Sequence, residues 1–310
     1  MSEMKFNIYL NSANENWVVD RFRKEWFQYG VKQTPLISLS RKDIIWLIAP
    51  WTWNKVPKYY LKNRKVVCTI HHIDMKKFDK NQREEFLKRD KFVDCYHSIS
   101  PQTTLTLKTL TNKRIVELPF WINENLFFPI KNKQHLREKH LFDSGEYLLG
   151  SFQRDTEGKD LMSPKLEKGP DIFIEIVKKM ILRHNNVKIV LTGKRRQYII
   201  SKLEELEIPF RYFEMVNFEE LNELYNILNL YVVSSRVEGG PQSIMECAIS
   251  KTPIISTNVG ISTKILNKES IYDPSNFLEA KPDIISAFHN VQKYKTTVWT
   301  KEYKDFFNSI

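Results

Sequence analysis

Apolar and polar positions along this chain alternate between two periods. Short, nearly continuous apolar runs at residues 5–10, 43–49, 64–70, 93–99 and 114–118 read as strands buried on both faces. Between them, residues 15–29, 81–89 and 101–110 carry helical spacing. Trp17, Val18, Phe22, Trp26 and Tyr29 form the stripe of the first, and Pro101 opens the last. The pattern fades across a charged stretch ending near residue 145 and then restarts. Strands are expected at 146–152, 187–191, 210–213, 230–235 and 253–256. Helices are expected at 170–184, 197–206 and 218–228, the first with Ile172, Phe173, Ile176, Val177, Met180 and Ile181 on one face. Two more, at 282–292 and 298–307, close the chain. Strands alternating with helices predict an α/β fold with parallel sheets, built twice.

The 310 residues leave room for two ordinary domains, and 42% hydrophobic with 27% charged residues predicts a globular chain. The composition shift at Pro119-Phe120-Trp121 through Phe127-Phe128-Pro129 marks the boundary. The longest apolar stretch, residues 44–51, is far short of a membrane span, and Met1 to Lys5 lacks the apolar core of a secretory signal. Cys68, Cys95 and Cys247 are few, odd in number and dispersed, which fits a reducing cytoplasm. A formal charge of +11 attracts nucleic acid, anionic lipid or phosphorylated ligands. The short clusters Lys194-Arg195-Arg196 and 131–139 read as solvated surface.

Candidate chemistry concentrates between the strands at 230–235 and 253–256. Glu238-Gly239-Gly240-Pro241-Gln242-Ser243-Ile244-Met245-Glu246 reads as a glycine-rich loop running into a helix. Gly239 and Gly240 permit close backbone approach to a ligand, and Pro241 suits the first helical turn. A helix start presents unpaired N–H groups to an anion such as a phosphate. One carboxylate lies in the loop and the other about one turn into the helix, a spacing that reaches two groups of hydroxyls on one elongated ligand.

This stretch resembles the E-x7-E signature of retaining GT-B glycosyltransferases, especially glycosyltransferase family 4. The resemblance implies two Rossmann-like domains facing a central cleft: an acceptor-side domain over residues 1–125 and a nucleotide-sugar domain over 126–290. It also implies a helix at 291–310 returning to the first domain, for which Trp299, Tyr303 and Phe306 supply an apolar face. Phe127-Phe128-Pro129 resembles the family's interdomain stretch. By the same resemblance Glu246 takes the nucleotide ribose and Glu238 the donor sugar, with Gly239, Gly240, Pro241 and Gln242 meeting sugar or phosphate. Arg154, after the strand at 146–152, and Lys168, in Lys168-Gly169 before a helix, match the family's diphosphate-binding pair. Fixed cations there stabilise the charge of the leaving diphosphate. The loop joining them is longer than in many members, so Lys159 and Lys165 stay open as alternatives. Gly193, ending the next strand, is a further diphosphate candidate, and the nucleobase is expected near residues 214–218.

In the first domain His71 and His72 follow the third strand, where ligands bind in open α/β sheets. His71 resembles the family's acceptor-side histidine, with His72 behind it and Asp74 orienting a ring or binding an acceptor hydroxyl. Residues 11–16 take the place of the family's glycine-rich acceptor loop but contain no glycine. The metal-binding Asp-x-Asp of the other major glycosyltransferase fold is missing. Asp155-Thr156-Glu157 is its nearest match and reads as loop, and no zinc spacing, GxGxxG or Walker loop stands out.

The expected function is a metal-independent, retaining transfer of a hexose-type sugar from a nucleotide diphosphate sugar to an acceptor hydroxyl. The acceptor is a glycan or a lipid-linked glycan, and no cofactor is required beyond the donor as co-substrate. The setting is cytoplasmic, a peripheral membrane contact is compatible with the charge, and nucleic acid is not an expected partner. Two alternatives stay open: a GT-B nucleotide-sugar epimerase, and a non-enzymatic basic protein that binds nucleic acid.

Overall fold

The computed structural model describes residues 6–13, 18–30 and 43–310. The expectations for Lys5, for residues 14–17 and for the terminus at Met1 lie outside them. The chain divides into two compact units, one of residues 1–123 with 293–310 and the other of residues 124–292.

In the first unit, strands β1 (Ile8–Leu10), β2 (Ile44–Leu47), β3 (Lys65–Ile70), β4 (Cys95–Ser98) and β5 (Arg114–Glu117) form one parallel sheet in that spatial order. Successive side chains point to opposite faces. Ile44 and Trp46 of β2 therefore join Phe22, Trp26, Tyr303 and Phe307 on one side, while Ile45 and Leu47 join Leu61, Phe86 and Leu107 on the other. Burial on both faces explains why these strands read as continuous apolar runs. The helix Lys80–Asp90 is capped by Asp79, which accepts from Gln82 N at 2.8 Å, and Pro101–Lys108 begins at its proline after the cap Ser100.

The C-terminal helix Thr296–Asn308 belongs to this first unit. Its aromatic face inserts Tyr303, Phe306 and Phe307 into the core beside Trp26 and Trp46. Trp299 is only partly buried, and its Nε1 donates to Pro119 O at 2.7 Å. Phe307, outside the expected face, is fully buried.

The second unit holds a six-stranded parallel sheet. Its strands are β6 (Tyr147–Ser151), β9 (Val187–Thr192), β10 (Phe210–Phe213), β11 (Leu230–Val233), β12 (Ile254–Thr257) and β13 (Ile271–Tyr272), in spatial order β10-β9-β6-β11-β12-β13. A two-stranded antiparallel ribbon, β7 (Thr156–Glu157) with β8 (Ser163–Pro164), rises from the loop after β6. Strand order reverses between β6 and β11. The chain leaves these two neighbours in opposite lateral directions, opening a crevice at their carboxyl ends.

Three expectations need correction. Pro241 lies outside the helix Gln242–Ser250 as its N-cap, one residue earlier than its ring suggested. The stretch before residue 145 contains the helix Lys133–Lys139, in which only Leu136 is buried. Asp155-Thr156-Glu157 is not plain loop, since Asp155 is buried and Thr156–Glu157 is strand β7.

Candidate functional site

Two helices start at the switch point. Pro170–Arg183 follows β6 and its ribbon, and Gln242–Ser250 follows β11. Neither N-cap, Gly169 or Pro241, supplies a side-chain hydrogen bond. Both helix starts present the positive end of the helix dipole at the switch point.

Gly169 shows why a glycine must follow Lys168. Its φ is +62°, and a Cβ there would sit 1.9 Å from the Ser234 carbonyl oxygen at the end of β11. The close approach lets Gln153, just after β6, clasp both segments. Its Nε2 donates to Lys168 O at 2.8 Å and to Ser234 Oγ at 3.1 Å, and Ser235 Oγ donates to its Oε1 at 3.1 Å. Gln153 was not singled out from sequence, because an amide after a strand carries no signal until its partners are known.

Lys168 and Glu238, expected on different parts of one ligand, are brought together as an ion pair. Both side chains are mostly buried. Lys165, one alternative cation, pairs with Glu167 at 3.0 Å, whereas Lys159 is exposed. Arg154 is half-buried, and its Nε donates to Thr156 O at 2.8 Å. Burial, and next the Arg195 guanidinium, lower its pKa, against the pull of Glu157 and Glu167. An incoming anion would relieve that repulsion between cations.

Glu246, in the helix Gln242–Ser250, is buried, and one carboxylate oxygen accepts from Tyr225 Oη at 2.8 Å. Burial, and then the Glu246 charge, push the Tyr225 phenol well above its ordinary range, so it remains a donor. Tyr225 packs in turn on Phe152 and Tyr231. Gly239 is buried and Gly240 half-buried. The loop they form rests on Gly260, where a Cβ would come 2.6 Å from Gly239 O at a φ of +57°. Gln242, half-buried, is the first helical residue. Gly193 has φ +88°, and its carbonyl accepts from Tyr212 Oη at 2.9 Å.

In the first unit, His71 Nε2 lies 2.9 Å from Ile48 O. A carbonyl only accepts, so Nε2 carries the proton and Nδ1 is the basic nitrogen of the neutral ring. The ring stacks on Phe120, and Thr103 Oγ1 donates to the His71 carbonyl at 3.1 Å. His72 is exposed, and Asp74 closes a turn by accepting from Lys76 N at 3.0 Å. Among the described residues, no group of three or more His, Cys, Asp or Glu side chains is placed to hold a metal ion.

Residues 161–297 match the model of the family described as glycosyl transferases group 1. The protein is a glycosyltransferase. The matched residues include Lys168, Gly193 and the whole Glu238–Glu246 stretch, while Arg154 precedes them. HepE from Anabaena, solved with UDP and glucose, superposes with a TM-score of 0.79 at 11% identity, covering 99% of this chain and 100% of that one. Sucrose-phosphate synthase from Thermosynechococcus elongatus gives 0.69 at 15% identity, over 94% and 76%. A glycosyltransferase from Rickettsia africae gives 0.62 at 16%, over 96% and 83%. At such identities the likeness is one of fold, and the glycosyltransferase has the GT-B fold of two parallel-sheet α/β domains. No curated protein matches the chain.

Proposed function

We propose that this glycosyltransferase binds a nucleotide diphosphate sugar at the switch point of its second unit and transfers the sugar, with retention, to an acceptor hydroxyl. The observation that carries the reading is the Lys168–Glu238 ion pair beside the starts of two helices at the switch point, with Arg154 on the loop just after β6. Together they suit an elongated ligand with an anionic centre. Lys168 and Arg154 hold the diphosphate and stabilise it as it leaves, with Gly193 and the amides following Gly239 and Gly240 beside it. Glu238 takes sugar hydroxyls. Glu246, steadied by Tyr225, takes the ribose, and Pro241 and Gln242 line the helix start between them.

The first unit supplies the acceptor side through His71, with His72 and Asp74 as its outer residues. The acceptor is a glycan or lipid-linked glycan. Two cations on the diphosphate do the work a divalent metal does elsewhere, so neither metal nor cofactor enters the reaction. The UDP bound in the HepE structure supports uridine as the first base to test. A cytoplasmic setting with peripheral membrane contact fits the charge of +11. No helix among the described residues is long and apolar enough to cross a membrane.

The test is a thermal-shift screen against UDP-, GDP-, ADP- and CMP-sugars with and without EDTA. A ligand that binds only the folded state raises the melting temperature. One donor class is expected to do so equally in EDTA. Silence with every donor, alongside a shift with oligonucleotides, would transfer the case to nucleic-acid binding.

A further inference from the structure

We propose that Asp155 and Arg196 are positioning residues that set the direction of the Arg154 guanidinium, an inference resting on the diphosphate role given to Arg154. Sequence read Lys194-Arg195-Arg196 as solvated surface, yet Arg196 is completely buried. Its Nε donates to the Asp155 carboxylate, and its Nη1 to Ser151 O at 2.6 Å and Thr192 O at 2.8 Å. It thus ties the carboxyl ends of β6 and β9 to the residue immediately after Arg154.

Every polar atom of Asp155 is engaged. Its N–H donates to Arg195 O at 3.2 Å, and its carbonyl accepts from Lys165 N at 2.8 Å. Oδ1 accepts from Thr156 Oγ1 at 2.7 Å and Ile199 N at 3.4 Å, and Oδ2 from Arg196. The Lys165 bond closes the β7–β8 ribbon, so the long loop returns its chain to Asp155 three residues before Lys168. Arg195 adopts φ +60°, a left-handed conformation costly for a residue with a Cβ. That turn aims its carbonyl at the N–H groups of both Asp155 and Thr156, the latter at 3.1 Å.

The link to Arg154 is direct. Its Nε donates to the carbonyl of Thr156, the residue whose N–H is held by Arg195 O and whose hydroxyl accepts from Tyr198 N at 2.9 Å. A buried ion pair is poor evidence for stability, since apolar residues of similar volume do as well. What this pair supplies here is a fixed geometry for the loop that carries the cation.

The experiment compares UDP with uridine by calorimetry, or the corresponding pair for whichever base the donor screen selects. Asp155→Asn is expected to weaken diphosphate binding about tenfold, the scale of one hydrogen bond to a charged group, and to leave nucleoside binding unchanged. In an Arg154→Ala background the same change should add no further loss. Where circular dichroism shows Asp155→Asn unfolded, Thr156→Val serves instead. It keeps the ion pair and removes the hydroxyl between Asp155 and Tyr198, with the same pattern at smaller amplitude. Equal losses for nucleotide and nucleoside, or full additivity with Arg154→Ala, would overturn the inference while the donor site stood. A wild-type protein that bound no nucleoside diphosphate at all would overturn both.

Discussion

Lys168 and Glu238 form an ion pair, and the pairing has a measurable consequence. On the proposed donor reading, a phosphate oxygen would compete with this carboxylate for the ammonium. Glu238→Gln should therefore tighten nucleoside diphosphate binding by roughly threefold to tenfold, the worth of one partly buried pair, while lowering turnover because a sugar contact is lost. Calorimetry set beside initial rates checks this, and a fall in both affinity and rate would contradict it. The two acids and Lys168-Gly169 were legible because their residue types and local spacing carry meaning in one dimension. Gln153, Tyr225 and Arg196 were not, since each takes its role from partners far along the chain. Asp155 stands 41 residues from Arg196, and three basic residues in a row look like surface until that carboxylate is seen.

At the scale of elements, the loop carrying Lys168 depends on a glycine, and the first unit's core holds a buried hydrogen-bond chain. Gly169→Ala places a methyl against the Ser234 carbonyl in a left-handed conformation. It should destabilise the second unit by more than about 2 kcal/mol, read from the urea midpoint. In the first unit, Trp46 Nε1 donates to Thr69 Oγ1 at 2.8 Å, Thr69 donates to His97 Nδ1 at 2.8 Å, and His97 Nε2 donates to Leu118 O at 2.6 Å. The fully buried His97 is thus held neutral, and burial lowers its pKa to about 4. An unfolded histidine protonates near pH 6.5, so the unfolded state binds the extra proton first as pH falls. The stability from this group is present above pH 6.5 and is lost between about 6.5 and 4, on the order of 3 kcal/mol. Urea titrations across that window should show the loss in the wild type and a flatter profile in His97→Asn. Strands and long helices followed their apolar periods closely. The helix Lys133–Lys139 escaped notice because no apolar stripe holds it. Arg137 anchors it instead, through Ile227 O at 3.0 Å and Asn229 Oδ1 at 2.6 Å.

At the scale of the whole molecule, the chain's last helix completes the first unit's core. Phe307 is fully buried between Trp26 and Trp46, and Phe307→Ala should cost about 3–5 kcal/mol. If the unit's stability were unchanged in denaturant titrations, the helix would not belong to that core. The overall plan was readable because alternation of strand and helix restarts near residue 146, and each sheet is buried on both faces. Strand order was not, since register and neighbours are set by contacts between distant segments. That order matters most for function, because it places the ends of β6 and β11 side by side. The most direct test of the donor site is calorimetric titration of the selected nucleoside diphosphate into wild-type protein and Lys168→Ala. A loss of tenfold or more, with the fold intact, is the expected result. Equal affinities in the two proteins would show that the diphosphate is bound elsewhere and would contradict the assignment.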